Sequence, residues 1–316
     1  MLNRRHLRIK VLQTLYAYFQ SNEDNYARTE KDLLNSIENI YDLYIYLLLS
    51  LPELKIVASN RIEDNKKKIR PTQNDLHPNL KFVNNRVVEL IEESAELRKL
   101  SETRRVNWSS DELRELFRKM FLQIKDSETF IHHMNSEAIG FEEDRTFAIE
   151  LFKVEIANFQ LLYNFFEDKN ISWIDDIDLA CSMVIKTLKM QREHEVFKML
   201  PLYKEDDDEE EFIKLLLQKT IALNKDNESL IDDLTKNWEL ERIAKMDIIL
   251  MKMAITEFQV FSTIPTKVTL NEYIEISKFY STPKSNGFIN GILDKAIDIL
   301  SKQKKINKIG RGLLND

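Results

Sequence analysis

Apolar side chains recur at helical spacing in the segments that dominate this chain. In residues 3–21, NRRHLRIKVLQTLYAYFQS, the side chains of Leu12, Leu15 and Phe19 follow one another at spacings of three and four, with Val11 beside them. Such a one-sided apolar stripe predicts an amphipathic helix. Residues 147–166, FAIELFKVEIANFQLLYNFF, are apolar on most sides. This second pattern predicts a single helix that is buried in a core.

Capping signals indicate where several of these helices begin. A hydroxyl residue followed three positions later by glutamate occurs at Ser109 with Glu112 and at Thr269 with Glu272. This capping-box pattern predicts a helix start at each place. Ser285 is the predicted N-cap of the last helix, because serine is among the favoured residues at that position.

Other stretches interrupt the helical pattern. Residues 64–80 are polar and contain two prolines, which predicts a loop, and a break between helices is expected near residues 224–227. The most apolar run, residues 43–51, ends at Pro52. It is far shorter than the roughly 20 residues that a membrane-spanning helix needs. We therefore expect this run to form a buried helix, and we expect no membrane association.

Composition favours the all-α class. Hydrophobic residues make up 43% of the 316 residues, enough for a sizeable core, yet there are only 5 glycines and 6 prolines. So few turn-forming residues indicate helices joined by few turns. No GxGxxG or GxxxxGK[ST] pattern occurs, so no recognised glycine-rich phosphate loop is present.

Candidate chemistry is sparse. The one cysteine, Cys181, excludes an internal disulfide and a multi-cysteine zinc site, and we expect it to be a small buried apolar residue. His132, His133 and the DDID run at 175–178 lack the ligand spacing of a metal site. The N-terminal charges run straight into an amphipathic pattern instead of a secretory apolar segment, so we expect a soluble, cytoplasmic protein.

Charge is segregated along the chain more strongly than the net value of −7 suggests. Residues 1–22 carry only basic charges, as do residues 302–311, KQKKINKIGR, whereas the run EDDDEEE at 205–211 is acidic. We interpret the acidic run as a solvated linker that starts the next helix, where acidic side chains are favourable. The rival interpretation, calcium binding, lacks the spacing and glycine turn of an EF-hand.

The cations at the start of the first helix need an explanation. Arg4, Arg5, Arg8 and Lys10 crowd this helix start, and the first acidic residue is Glu23. A helix N-terminus favours anions, and a well-placed charge there is worth roughly 0.3–1 kcal/mol. External phosphates would supply the missing anions and release counterions. We therefore expect this basic start of the first helix, the leader, to lack an internal counter-charge and to bind phosphate. The alternative is a solvated, frayed end.

Parts of the sequence resemble the transcription antitermination protein NusB family. RRHLRIKVLQTLY is similar to the opening helix of that family. NWELERIAKMDIILMKMAITEF and IPTKVTLNEYIEISKFYSTPKSNGFINGILDKAIDIL are similar to its C-terminal half, and NEYIEISKFY and S-x-x-FINGILD are the most specific elements. The resemblance covers residues 3–21 and 209–301, which is well under half of the chain.

The resemblance implies an all-α fold, a NusB-like helical bundle of two subdomains with an additional helical insertion. Under this interpretation residues 1–21 are the first helix of the module, and residues 22–205 are a helical insertion or an elongated N-terminal subdomain. Residues 206–302 are the C-terminal module, and residues 303–316 are a basic tail. The resemblance implies neither catalysis nor a cofactor.

The implied function is that of an RNA-binding transcription antitermination factor. It would pair with the ribosomal protein NusE on the boxA RNA of ribosomal RNA transcripts, within the RNA polymerase antitermination complex. The resemblance places NusE contacts at Tyr16 and Asp247, although Tyr16 could equally be core. It places RNA contacts at Arg4, Arg5, Arg8, Lys278, Lys284, Phe288, Asn290 and Gly291.

Physical arguments support some of these positions independently. Phe288, in the first turn of the last helix, could stack on an unpaired base, or it could be core. Gly291 costs about 1 kcal/mol relative to alanine inside a helix, which predicts the close approach of a neighbour. Asp247 interrupts an apolar stretch and needs a partner or solvent. His6 stands where the family commonly has arginine, and Lys284 where it often has an acidic residue.

Two alternatives remain open. The chain could be a helical protein-interaction scaffold in ribosome assembly, without RNA affinity of its own. A NusB-like module also precedes the glycine-rich cofactor domain of some ribosomal RNA cytosine methyltransferases, whereas this chain ends at Asp316 without such a domain.

Overall fold

The computed structural model describes residues 2–21, 25–203, 208–235 and 243–313. Helices dominate this described part, which contains no β-strand, and the all-α prediction is thereby confirmed. The chain divides into two compact units. The middle unit is Ile37–Leu202, and the terminal unit combines Leu2–Ser36 with Tyr203–Asp316. The predicted division at 1–21, 22–205, 206–302 and 303–316 stays a prediction.

The terminal unit is built around one helix that is buried on nearly every side. This central helix, α13, packs against α1, α11, α12, α14 and α15, because Leu250, Met253, Ala254 and Phe258 are all fully buried. The predicted break near 224–227 falls at Leu223, between α11 and α12. The helices of this unit are α1 (Arg4–Gln20), the first turns of α2 (Tyr26–Lys66), α11 (Glu209–Ala222), α12 (Asn224–Leu234), α13 (Lys245–Val260), α14 (Thr266–Tyr280) and α15 (Ser285–Lys302), followed by a 3₁₀ turn (Gly310–Leu313).

Helices α1 and α14 run parallel and in step. The Arg5 guanidinium bonds to the Glu272 carboxylate, and the Gln13 amide donates to the Tyr280 hydroxyl at 3.5 Å. The two contacts are eight residues apart on α1 and eight residues apart on α14, which corresponds to about 12 Å along each helix. A four-residue turn then leads into α15, which packs against α14.

The middle unit has its own aromatic core. The Tyr46 ring lies 4.9 Å from Trp108 and 5.9 Å from Trp173 between ring centroids, and the two indole N–H groups donate to the carbonyls of Tyr46 and Asn39. The unit contains the rest of α2, α3 (Gln73–Leu76), α4 (Arg86–Glu93), α5 (Ala95–Arg104), α6 (Asp111–Ile124), α7 (Glu128–Asn135), α8 (Phe141–Glu150), a π-helical segment (Leu151–Ile156), α9 (Gln160–Lys169), a 3₁₀ turn (Ile171–Trp173) and α10 (Ile177–Met190).

One helix of this unit is longer than its apolar run indicates, and one predicted helix is divided. Helix α2 does not end at Pro52 but continues to Lys66. Proline costs about 3 kcal/mol in a helix interior, and the burial of Leu48, Leu51 and Leu54 around it offsets that cost. The stretch 147–166 is not one helix, because the Asn158 side-chain amide caps the carbonyls of residues 153 and 154 and ends the π-helical segment.

The predicted helix starts are displaced. Helix α6 is capped by Ser110 instead of Ser109, and α15 begins at Ser285 with Lys284 at its N-cap position. Thr269 and Glu272 form no capping box, since α14 already begins at Thr266. Both side chains instead contact cations or carboxylates of other helices, as described below.

The remaining expectations fall partly outside the described residues. Glu209, Glu210 and Glu211 occupy the first turn of α11, as the acidic run predicts, whereas residues 205–207 are not described. The start of the NWELERIAKMD element, 237–242, and the tail end, 314–316, are likewise not described. No helix in the described ranges is both long enough and apolar enough to cross a bilayer.

Candidate functional site

The leader cations occupy very different environments at the start of α1. Asn3 caps the helix, because its side chain accepts a bond from the backbone N–H of His6 at 3.0 Å. Arg8 is only 2% exposed, whereas Arg5 is half-buried. The Arg4 guanidinium lies 5.2 Å from the centre of the Phe212 ring, within cation–π range.

Arg8 forms a fully buried ion pair with Glu257 of α13. Its Nε and Nη2 donate to the two carboxylate oxygens at 2.8 and 2.6 Å, in a bidentate geometry. Thr269 and Tyr273 of α14 donate their hydroxyls to the same carboxylate at 2.8 and 3.0 Å. Burial opposes the charge of Arg8, but Glu257 outweighs this effect and raises the pKa of the guanidinium.

Arg5 forms a second bidentate pair, with Glu272 of α14. Both bonds measure 2.8 Å, and Arg8 lies 3.8 Å from the same carboxylate. The hydrogen bonds from Arg5 hold the pKa of Glu272 below its usual value. Thus α1 is fixed against α13 and α14 by two neighbouring ion pairs.

These pairs correct one expectation about the leader. Arg5 and Arg8 do not lack an internal counter-charge, because carboxylates that lie more than 240 residues further along the chain neutralise them. No acidic residue near the start of the sequence could indicate this. Whether Arg4, Arg5 and Arg8 bind RNA is not settled by their internal pairs and stays a prediction.

A cleft of about 650 Å³ lies beside the leader. Arg4, Arg5 and Arg8 line it from α1, and Glu272 lines it from α14. Arg311 reaches the same cleft from the C-terminal tail. The sequence shows both basic termini, but only the fold brings them to one cleft. The other lining residues are Asn3, Thr263, Ile264, Pro265 and Val268.

The predicted RNA contacts of the C-terminal part lie around the turn between α14 and α15. Lys278 is exposed and pairs with Glu275, while Lys284 is exposed at the N-cap position of α15. Phe288 is half-buried, one turn into α15. Asn290 donates to Asp294 at 3.2 Å. These residues are close in sequence and therefore lie in one region. Arg5 contacts α14 at Glu272, which is eight residues, or about 12 Å of helix, before the end of α14 at Tyr280.

Gly291 makes no close contact with another described part of the chain. A Cβ atom built on Gly291, or on Gly287 one turn earlier, would meet none of the described residues within 4 Å. The prediction that a neighbouring element of this chain approaches Gly291 is therefore wrong. Both glycines lie on the exposed side of α15, so their Cα atoms are open to another molecule.

The sequence analysis missed one exposed aromatic residue. Phe279 is 80% exposed in the last turn of α14, beside Lys278. The helical stripe of α14 has buried positions at Tyr273 and Ile276, and Phe279 falls outside this buried set. An aromatic residue between a lysine and the turn signal S-T-P would have been a usable hint.

The two predicted NusE contacts also differ in exposure. Tyr16 is 40% exposed on α1. Asp247 is only 4% exposed, and it accepts a hydrogen bond from Ser281 of the turn after α14. The Ser281 hydroxyl also lies 2.9 Å from the Ser285 hydroxyl, so the carboxylate supports the hydroxyl cluster that shapes the turn. Asp247 thus has the partner that a buried carboxylate needs.

The other candidate residues have structural surroundings. Burial raises the pKa of the Cys181 thiol to about 12, which keeps it protonated at neutral pH. His133 is buried and stacks on Phe147 at a centroid distance of 3.6 Å. No cluster of three metal-ligating side chains occurs in the part of the chain that the structure describes.

Comparisons with known proteins bear on these surfaces. The NusB family model matches residues 177–298. A transcription antitermination protein NusB from Salinibacter ruber is 40% identical over 110 residues, which are 35% of this chain and 69% of the relative. That from Natranaerobius thermophilus is 34% identical over 94 residues, 30% of this chain and 68% of the relative.

A third relative is matched over a smaller share of its own length. The transcription antitermination protein NusB of Chloroherpeton thalassium is 40% identical over 105 residues, 33% of this chain and half of its own length. No solved structure matches the chain significantly.

Replacing Arg8 with methionine should lower the free energy of unfolding by about 3–5 kcal/mol, because Glu257 would remain as a buried charge without its cation. Arg5→Ala is the control, since it breaks a partly exposed pair worth about 0–1 kcal/mol. Urea unfolding followed by helical circular dichroism measures both variants. Equal losses would contradict a special role for the buried pair.

The Glu272 pair should make stability depend on pH. A carboxylate whose pKa is lower in the folded state adds stability above its unfolded pKa and loses it as the pH falls through the folded pKa. From about pH 6 to about pH 3, wild type should therefore lose more unfolding free energy than Glu272→Gln, which does not titrate. Glu211→Gln, an exposed control, should follow wild type. Parallel pH profiles for wild type and Glu272→Gln would refute the prediction.

Proposed function

The chain belongs to the NusB family, and on that premise we propose that it is an RNA-binding transcription antitermination factor. The relatives that it matches are named transcription antitermination proteins. The observation that carries the proposal is the turn between α14 and α15, where exposed cations and aromatic side chains lie within the matched region. The proposed function is binding and requires no catalytic step.

The turn has the chemistry that single-stranded RNA requires. Phe279 offers an exposed ring for base stacking, and Lys278 and Lys284 provide charge on either side. Stacking on an aromatic ring contributes roughly 1–3 kcal/mol per base, and cations attract the backbone. Phe288 and the open side of α15 at Asn290 and Gly291 extend the same surface.

We assign the leader a divided role. Arg8 is buried against Glu257 and holds α1 in place, so its contribution to RNA binding would be indirect. Arg4 and Arg5 line the cleft and could contact phosphate. The RNA that we propose is the boxA element of ribosomal RNA transcripts.

For the protein partner we propose NusE, as part of the RNA polymerase antitermination complex. Tyr16 is accessible enough to contact it directly. Asp247 would act by holding Ser281 and the turn in position, because its own carboxylate is buried.

The scaffold alternative keeps one observation in its favour. Arg5 and Arg8 are neutralised inside the chain, which lowers the charge available to RNA. A ribosome-assembly scaffold without RNA affinity would still bind NusE. RNA binding by the chain alone therefore separates the two functions.

Filter binding with boxA RNA, with and without NusE, tests the proposal directly. We expect boxA RNA to bind more tightly than a scrambled RNA of equal length, and NusE to strengthen that binding. NusE binding without any RNA affinity would favour the scaffold instead.

Phe279→Ala should weaken RNA binding by roughly 1–3 kcal/mol if the ring stacks on a base. Its effect on stability should stay within about 0.5 kcal/mol, because the ring is exposed. Tyr163→Ala removes an exposed aromatic side chain from the middle unit and is the matched control. Equal RNA affinity in the Phe279→Ala and Tyr163→Ala proteins would remove Phe279 from the proposed surface.

Tyr16→Ala should weaken NusE binding by more than about 1 kcal/mol, since interface tyrosines are often energetic hot spots. Helical circular dichroism should be unchanged because Tyr16 is 40% exposed. Calorimetric titration of NusE into the variant and into Tyr163→Ala gives the comparison. An affinity equal to that of the control would exclude Tyr16 from the interface.

A further inference from the structure

The basic C-terminal tail returns to the terminal unit and is anchored there at three points. The Lys308 ammonium donates to the Phe261 carbonyl at 2.8 Å, and the Ile309 N–H donates to the Ser262 carbonyl at 3.0 Å. Gly312, three residues later, is buried. The tail is therefore bound to the connection between α13 and α14.

Gly312 makes this docking specific. A Cβ atom at this position would lie 1.9 Å from the Ser262 carbonyl oxygen, which is a backbone atom that cannot rotate away. A residue with a side chain would therefore displace the tail. This is an actual close approach of backbone to backbone, unlike the open position of Gly291.

The docked tail places Arg311 at the leader cleft. Arg311 is exposed, and no carboxylate in the described ranges pairs with it. Arg5 and Arg8 are neutralised by Glu272 and Glu257. Arg311 thus adds to the cleft a positive charge that neither Glu272 nor Glu257 neutralises.

We propose that the docked tail completes an RNA phosphate site, in which Arg311 binds a backbone phosphodiester at the cleft that Arg4 and Arg5 line. This inference rests on the proposed RNA-binding function and adds a residue that lies outside the matched family region. A guanidinium forks onto phosphate oxygens in a bidentate geometry, and a cation without an internal partner keeps its charge available. The cleft is open enough, at about 650 Å³, to admit part of a nucleotide.

Salt-dependent RNA titrations test this proposal. Arg311→Ala should weaken binding of boxA RNA about three- to tenfold, the effect of one lost hydrogen bond of ordinary strength. It should also flatten the slope of log affinity against log salt by about 0.7, the value expected for one phosphate of a single strand. Lys305→Ala is the matched control, since it removes one exposed charge of the same tail away from the cleft lining.

Gly312→Ala tests whether docking matters. It keeps every charge but displaces the tail, so it should cause the same loss as Arg311→Ala. The double variant should then lose no more than either single variant. Titration with inorganic phosphate as competitor separates the two sources of the anion. If the site binds RNA backbone, free phosphate should displace the RNA only weakly.

The outcomes are distinguishable. If wild type binds RNA but Arg311→Ala matches Lys305→Ala, the tail site is refuted and the proposed function stands. If Arg311→Ala weakens binding while Gly312→Ala does not, docking is irrelevant and the inference is overturned. Displacement of the RNA by a low concentration of inorganic phosphate would indicate a site for free anions and would also overturn the inference. A wild-type protein that binds no RNA would refute the proposed function together with this inference.

Discussion

The buried pair of Arg8 and Glu257 is the interaction on which the terminal unit depends. It places a charge from the start of the chain against a charge from α13, and two hydroxyls of α14 saturate the same carboxylate. Removing either charge would leave the other unpaired in a low-dielectric interior. The pair therefore fixes α1 in one register, and the neighbouring pair of Arg5 and Glu272 follows from that register.

This register determines which cations are available to another molecule. Charge that is held by an internal carboxylate contributes less to phosphate binding, so the exposed cations of the turn and of the tail become more important. Lys284 is exposed at the start of α15, and Arg311 is exposed at the cleft. The aromatic ring of Phe279 is exposed beside the turn, where Asp247 and Ser281 stabilise the local backbone.

The middle unit is physically independent in its core. Its tyrosine and tryptophan cluster and its buried Tyr44–Thr187 hydrogen bond involve residues of that unit alone. The family match begins at residue 177, so most of this unit lies outside the matched region. Its role as an insertion that extends a family module remains a proposal.

The sequence by itself determined the helical class and the family, because apolar spacing, scarce glycine and proline, and the NEYIEISKFY and FINGILD elements are local signals. It misplaced the capping box at Thr269, because remote partners outweigh local preferences. Only the tertiary structure decided that Arg5 and Arg8 have internal partners, that Gly291 is open and that Gly312 is not. Each of these depends on residues far apart in the chain, and no local pattern records which distant groups will meet.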